Sequence, residues 1–336
     1  MKRLLWSILF FAPLIHAQEA EPARLRFLAL GDINLGRSVG QMLLKDSIDY
    51  PFLFAGPVFR GYDIVFANLE SQITDQGGET QHPRDPYIFA APPQAAQALQ
   101  QGGISVVSTA NNHAFDYGSR GLRETVDFLE QANVRFTGTS KDSVGMFNPA
   151  LIRRNGITVG FVAYTEFVNQ KGAWQGRISL YHAGRAKKEI AVLRESADFI
   201  VASYHGGVEY VDRPPKHTLA QMRQLIDAGA DVVIGHHPHV PQGIEQYKGK
   251  WIFHSLGNFV FLQTQREWTQ KSFAVAMEFA ADSRTGRIDQ ITLLPVLASN
   301  QPNFAVPPFV RETIFNRLKE LSTISFIRKD SVLVVQ

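Results

Sequence analysis

The sequence predicts an α/β fold in which layered β-sheets are flanked by helices, with a β-rich stretch closing the chain. Three observations predict it. Short apolar runs alternate with amphipathic ones, the pattern of strands interleaved with helices. Several of these runs stop at polar side chains able to bind metal. Beyond residue 264 the pattern changes to an antiparallel pair followed by a short helix.

The first strand is read at Leu25 to Leu30, ending in Gly31-Asp32, and the second at Asp63 to Ala67, ending in Asn68-Leu69-Glu70. Pro92-Pro93 opens a helix to Gln101, Gly102-Gly103 stops it, and the strand Ile104 to Thr109 runs into Asn111-Asn112-His113. Ser119 to Ala132 is a helix with Leu122, Val126 and Leu129 on one face. Asn155-Gly156, set between two apolar runs, signals a two-residue hairpin. Further strands are expected at Asp198 to Tyr204, ending at His205, at Asp231 to Ile234, ending at His236, His237 and His239, and at Trp251 to His254. A helix from Lys216 to Ala228 is stopped by Gly229. Phe273 to Leu297 reads as an antiparallel pair turning near Thr285-Gly286, and Glu312 to Leu321 as a helix. Phe52, Phe54, Phe59 and Phe66 are assigned to the core rather than to a binding platform.

The chain has 336 residues, 34 Lys+Arg against 31 Asp+Glu, 45% hydrophobic residues and no cysteine. This is the composition of a folded globular protein. The lack of cysteine excludes thiol nucleophiles, Cys-type zinc sites, disulfides and an acylated lipoprotein cysteine, so any metal must be held by His, Asp, Glu or Asn. Met1-Lys2-Arg3, the apolar stretch Leu4 to Ile15 and a small residue at Ala17 form the pattern of a signal peptide over residues 1–17. The apolar stretch is shorter than the ~20 residues a membrane span needs, so an uncleaved anchor is the weaker alternative. Export to the periplasm or cell envelope is therefore expected. Without Lys2 and Arg3 the surface is near neutral, which argues against nucleic acid as a partner. One domain is expected over 24–264, with the β-rich extension 265–336 packed on it.

Five strand ends carry metal-capable groups: Asp32 and Asn34, Asn68 and Glu70, Asn112 and His113, His205, and the trio His236, His237 and His239. In open α/β sheets ligands bind outside the carboxyl ends of the strands, so these groups can meet at one site. Singly they are weak signals. Gly-Asp is commonly a turn, Asn-His commonly a cap, and His205 is as readily a core histidine. Three histidines within four residues are harder to explain as packing. His237 and His239 are two apart, so an extended segment would turn both rings to one side.

The order Gly-Asp, acidic strand end, Asn-His, lone His-Gly and closing Gly-His-x-x-His resembles the calcineurin-like metallophosphoesterases. More narrowly, "GDINLGR", "FANLE", "ANNHAFDYG", "HGGVEY", "IGHHPHV" and "SLGNFVF" resemble, in this order over about 26–264, the CapA family of bacterial capsule proteins associated with poly-gamma-glutamate synthesis. The resemblance implies a metallophosphoesterase-like fold and one or two divalent ions, Mn, Fe or Zn. It implies Asp32, Glu70, Asn112, His205, His237 and His239 as ligands, with His236 competing for the place of His237. It further implies His113 as acid or transition-state stabiliser, oriented by Asp116, and Arg37 or Tyr210 as holders of an anionic substrate. The sequence departs from the phosphoesterase pattern at Asn34, at Asn68-Leu69-Glu70, and in the acidic residue three places after Asn-His. Two functions are therefore expected side by side. One is a metal-dependent hydrolase of a phosphoester or of the amide of an anionic surface polymer such as poly-gamma-glutamate. The other is a non-catalytic subunit that binds the polymer or a membrane capsule synthase.

Overall fold

The fold is that of a computed structural model that describes residues 22–142, 148–281 and 286–336. The segment read as a signal peptide and Thr285 of the expected turn lie outside the described residues. Two large sheets dominate. The first runs, in spatial order, Phe326–Lys329, Val332–Val335, Gly286–Leu297, Lys271–Ala281, Ala23–Ile33, Ile64–Leu69, Val106–Ser108 and Arg135–Thr137. The short strand Asn258–Val260 pairs in parallel with the end of Ala23–Ile33. The second sheet runs Ile244–Tyr247, Lys250–Phe253, Val232–His236, Phe199–His205, Ile157–Thr165 and Ala150–Arg154.

Period-two patterning decides how the sheets stack. Leu25, Phe27 and Ala29 point into an apolar layer shared with Val159, Phe161, Val201 and Ile234 of the second sheet, while Leu28 and Leu30 point the other way. Phe66 stacks on Phe161 at 5.9 Å and Phe199 on Phe279 at 4.5 Å, so aromatic rings fill the space between the sheets. The outer face of the first sheet is covered by Arg37–Leu43 and Gln94–Gly102 through Val39, Leu43, Ala95 and Leu99. Ala183–Arg194 and Lys216–Asp227 cover that of the second through Ile190, Leu193, Met222 and Leu225. The result is a layered α/β fold, helices outside two facing sheets. The central strands are parallel and buried on both faces, which explains why they read as continuous apolar runs.

The hairpin at Asn155-Gly156 forms with both residues left-handed, φ 51° and 84°, as a type I′ turn requires. Strand 271–281 pairs antiparallel with 23–33 over seven residues, so the β-rich C-terminal stretch continues the first sheet. The helix expected at Glu312 to Leu321 begins a turn earlier, as Pro308–Leu321, because Pro308 suits a first helical position. Phe54 corrects one expectation. It is 50% exposed, lying between two short helical turns, while Phe52, Phe59 and Phe66 are buried. The helix Ala183–Arg194 carries a weak sequence signal, since its lysine-rich stretch shows only a short apolar stripe of Ala186, Ile190 and Leu193. Among the described residues no helix is long and apolar enough to cross a membrane.

Candidate metal centre

The parallel strands of both sheets end at the same edge, and there the polar strand ends meet. Asp32 lies beside Asn68 in the first sheet, and His236 lies beside His205 in the second. The two sheets are tied together at this edge. Asp32 Oδ1 accepts from Asn68 Nδ2 at 2.9 Å and lies 3.0 Å from His236 Nδ1. Asp32 Oδ2 is 3.4 Å from His239 Nδ1. Burial would raise the Asp32 carboxyl, but the contacts from His236 and His239 hold it well below the usual carboxylate range.

Glu70 sits at the centre. It is fully buried, and neither carboxylate oxygen has a hydrogen-bond partner among the described residues. Its Oε1 instead faces His205 Nε2 at 3.7 Å, His239 Nε2 at 3.7 Å and His113 Nε2 at 4.0 Å. Burial pushes the Glu70 carboxyl well up, against the pull of His239. A buried carboxylate without donors is costly unless a cation shares the site. Two sets bring their ligand atoms within 4.8 Å of one another: Glu70 with His205 and His237, and Asp32 with Glu70 and His239. Glu70 belongs to both. Carboxylate and imidazole donors in this mixture suit Mn, Fe or Zn, so the residues present fit one or two divalent ions.

The imidazoles differ in state. Burial and the neighbouring His237 and His236 hold His205 well below its ordinary value, despite Asp32. His205 Nε2 lies 2.8 Å from Asn112 Oδ1, and its Nδ1 lies 3.2 Å from Asn68 Nδ2. Burial and His239 lower His237 to about 3. His239 is raised to about 9, because Glu70 and Asp32 outweigh its burial. Its Nδ1 also lies 2.9 Å from Asn258 Oδ1. His113 is held differently: its Nδ1 is 2.8 Å from Asp116 Oδ2, which also accepts the Phe89 backbone N–H at 2.9 Å.

Backbone strain concentrates here. Of nine non-glycine residues with left-handed φ among the described residues, four are Arg37, Tyr210, His237 and His239. This corrects the geometry expected for the histidine pair. His237 (φ 97°) and His239 (φ 59°) reach the site through a turn, not through the alternation of an extended segment. Their rings lie 6.0 Å apart and serve different ligand sets. His236, at the strand end, contacts Asp32 through Nδ1 and joins neither set.

Tyr210 places its ring 5.9 Å from that of His239, under Arg266 at 4.4 Å. Arg37 lies over the Phe89 ring, which in turn lies 4.4 Å from His113. Asn34 is turned back on its own loop, accepting from the Gly36 N–H at 2.9 Å. The sequence marks Asn68 only as a metal-capable strand end and gives no role to Asn258 or Asn111, whereas the three brace Asp32, His239 and the loop of His113. Their signal was available, since each stands at a strand end inside a quoted motif.

Two facing sheets with a buried carboxylate ringed by imidazoles at their common edge define an α/β protein with a candidate metal centre between its sheets. The match to known proteins is narrower than that class. Residues 26–263 match the family model for bacterial capsule synthesis protein PGA_cap, and the chain belongs to that family. It is 30% identical over 292 residues to capsule biosynthesis protein CapA of Bacillus anthracis, covering 84% of this chain and 69% of that one. It is 30% identical over 309 residues to PGA biosynthesis protein CapA of Bacillus subtilis, covering 90% and 77%. Among solved structures it is similar to the calcineurin-like phosphoesterase YfkN from Bacillus subtilis, with a TM-score of 0.45, 13% identity and coverage of 89% and 99%.

Proposed function

We propose that this protein is an exported, metal-dependent hydrolase that works in capsule or poly-gamma-glutamate synthesis and cleaves a phosphoester or the amide of an anionic surface polymer. The observation that carries this reading is the Glu70 carboxylate, fully buried, without a hydrogen-bond donor and facing three imidazole nitrogens. The names of the relatives tie them to capsule and PGA biosynthesis, which supports the process assigned here.

Asp32, Glu70, Asn112, His205, His237 and His239 are the residues that would hold the metal. A divalent ion held there would supply Lewis acidity and lower the pKa of a bound water. The chain supplies the rest. Asn68, His236 and Asn258 orient Asp32 and His239 through the contacts described, as outer partners of a metal site do. His113 presents Nε2 on the Glu70 side while Asp116 holds Nδ1, which fixes the ring to hand a proton to the departing oxygen or nitrogen. Polymer binding without turnover is the second reading. It is supported by Asp32 Oδ1, which is already shared between Asn68 and His236 and so has less capacity for a first metal.

Metal analysis of residues 18–336, joined to assays of phosphodiester and gamma-glutamyl peptide cleavage with Mn, Fe or Zn, tests the proposal. One or two bound metals per chain are expected, with turnover lost in His237→Ala together with metal. In His113→Ala turnover should fall by about 10²–10⁴-fold while metal is retained. Absence of metal and of turnover with every ion would end the hydrolase reading.

A further inference from the structure

Arg37 is held where the backbone would prefer glycine, with φ 49° directly after Gly36. Two hydrogen bonds fix this shape: Arg37 N donates to Thr80 O at 2.7 Å, and Thr80 Oγ1 donates to Arg37 O at 2.8 Å. The guanidinium then lies over the Phe89 ring at 4.4 Å and beside the Phe261 ring at 5.7 Å, while Nη2 donates to Pro86 O at 2.9 Å. Thr80, Pro86 and Phe89 belong to one segment, residues 80–90, which folds back on itself. His82 N donates to Ile88 O at 3.0 Å, and Gln81 bridges Phe89 in antiparallel fashion. Of residues 81–89 only Phe89 is buried, and Tyr87 is 71% exposed. A segment with so little apolar anchorage opens readily unless polar and stacking contacts hold it, and Arg37 supplies both kinds.

Phe89 carries this contact to the candidate metal centre. Its backbone N–H donates to Asp116 Oδ2 at 2.9 Å, the same oxygen that lies 2.8 Å from His113 Nδ1. Its ring packs on the His113 ring with centroids 4.4 Å apart. One residue thus holds His113 twice, on the face of the imidazole and through the carboxylate at Nδ1. Phe261 completes the packing, meeting the Phe89 ring edge-on at 6.0 Å. The approach of the segment also needs Gly36, since a Cβ there would come within 2.8 Å of Thr80 O and 3.0 Å of Ala90 O.

We propose that Arg37 and Phe89 are positioning residues for His113: the guanidinium fastens residues 80–90 so that Phe89 fixes the imidazole and its Asp116 partner with Nε2 on the Glu70 side. The resemblance placed Arg37 on the substrate, whereas in this role its guanidinium acts on the protein. As an ordering of His113 the proposal stands on these contacts, and its effect on turnover rests on the hydrolase reading.

Proton–nitrogen NMR of the His113 ring with Zn added, joined to steady-state kinetics on whichever phosphodiester or gamma-glutamyl peptide the wild type cleaves, provides the test. Glycine suits φ 49°, so Arg37→Gly removes the guanidinium without straining the loop. Phe89→Leu keeps an apolar side chain and the backbone donor but removes the flat ring. A slowly exchanging Nδ1–H is expected in the wild type, because Asp116 accepts it. Its exchange should quicken about tenfold or more in both variants at unchanged metal content. Arg37→Lys should restore part of the protection, since an ammonium can reach Pro86 O but cannot lie flat on the ring. In Arg37→Gly and Phe89→Leu kcat should fall about 10–100-fold at nearly constant KM, the mark of a displaced proton donor. A rise in KM at unchanged kcat in Arg37→Gly would return Arg37 to the substrate and overturn the positioning role. A ring proton that exchanges as in the wild type in both variants would overturn it equally. If the wild type cleaves neither substrate, the hydrolase reading falls, and exchange of the ring proton alone decides whether Arg37 and Phe89 order His113.

Discussion

Glu70 and the imidazoles around it show how burial turns ordinary residue types into a site. A carboxylate in water needs no partner, whereas at Glu70 the protein has removed water and offered no donor in return. The fold carries that cost in the metal-free state and recovers it when a cation binds, so metal should act as a stabilising ligand. At about a hundred times its Kd, one divalent ion should add about 2.7 kcal/mol to the stability of the wild type. Glu70→Gln, of the same size but without the charge, should show almost none of that gain. Thermal melts with chelator and with Mn or Zn decide it, and an equal metal-dependent rise in both proteins would count against Glu70 as a ligand.

At the scale of elements, the segment 254–257 is what keeps the two strand ends in place. It leaves the strand Lys250–Phe253 of the second sheet and enters Asn258–Val260 of the first, passing over both. Asp32 N donates to Gly257 O at 3.0 Å, and Leu256 N to Gly235 O at 3.4 Å. The approach is so close that a Cβ on Gly31 would overlap the Gly257 carbonyl, and one on Gly235 the His254 carbonyl. Both obstacles are backbone and cannot rotate away. Gly235→Ala should therefore cost about 2–3 kcal/mol and weaken metal binding as His236 and His237 shift. Denaturant unfolding with parallel metal titration measures both, and a loss under about 0.5 kcal/mol, the range of an innocuous surface change, would show that the crossing has room to adjust.

For the whole molecule, the β-rich C-terminal stretch is part of the structure that supports the site. Strand 271–281 covers the edge of 23–33, the strand that delivers Asp32, and Phe273, Val275, Met277 and Phe279 enter the layer between the sheets. Val310, Ile314 and Leu318 of the last long helix pack on the same layer. Removing residues 265–336 would expose that layer and leave the edge of 23–33 without its long ladder partner. The expected outcome is an aggregated chain with no cooperative melt. A soluble fragment 18–264 that melts cooperatively would show that the first part folds alone.

The order of strands and helices was legible because each element carries its own local signal. The apolar run Leu25 to Leu30 marked the strand Ala23–Ile33, Asn155-Gly156 marked the hairpin, and Gly229 marked the end of its helix. The residues that gather at the site were legible for a related reason: parallel strands place their carboxyl ends together, so polar residues at those ends are brought to one edge. Less legible was what each residue does there. The sequence placed His237 as the ligand with His236 competing for its place, and only the left-handed turn after the strand separates a brace of Asp32 from a member of the Glu70 cluster. Phe54 read as core because composition carries no direction, and the chain turns it outward. The sequence by itself determined the class of fold, the family and the set of polar strand ends, since these depend on local pattern and order along the chain. The tertiary structure alone decided that Glu70 would have no donor and that Asn68 and Asn258 would serve as braces. Those are distances between residues far apart in the chain, set by how two sheets close on each other.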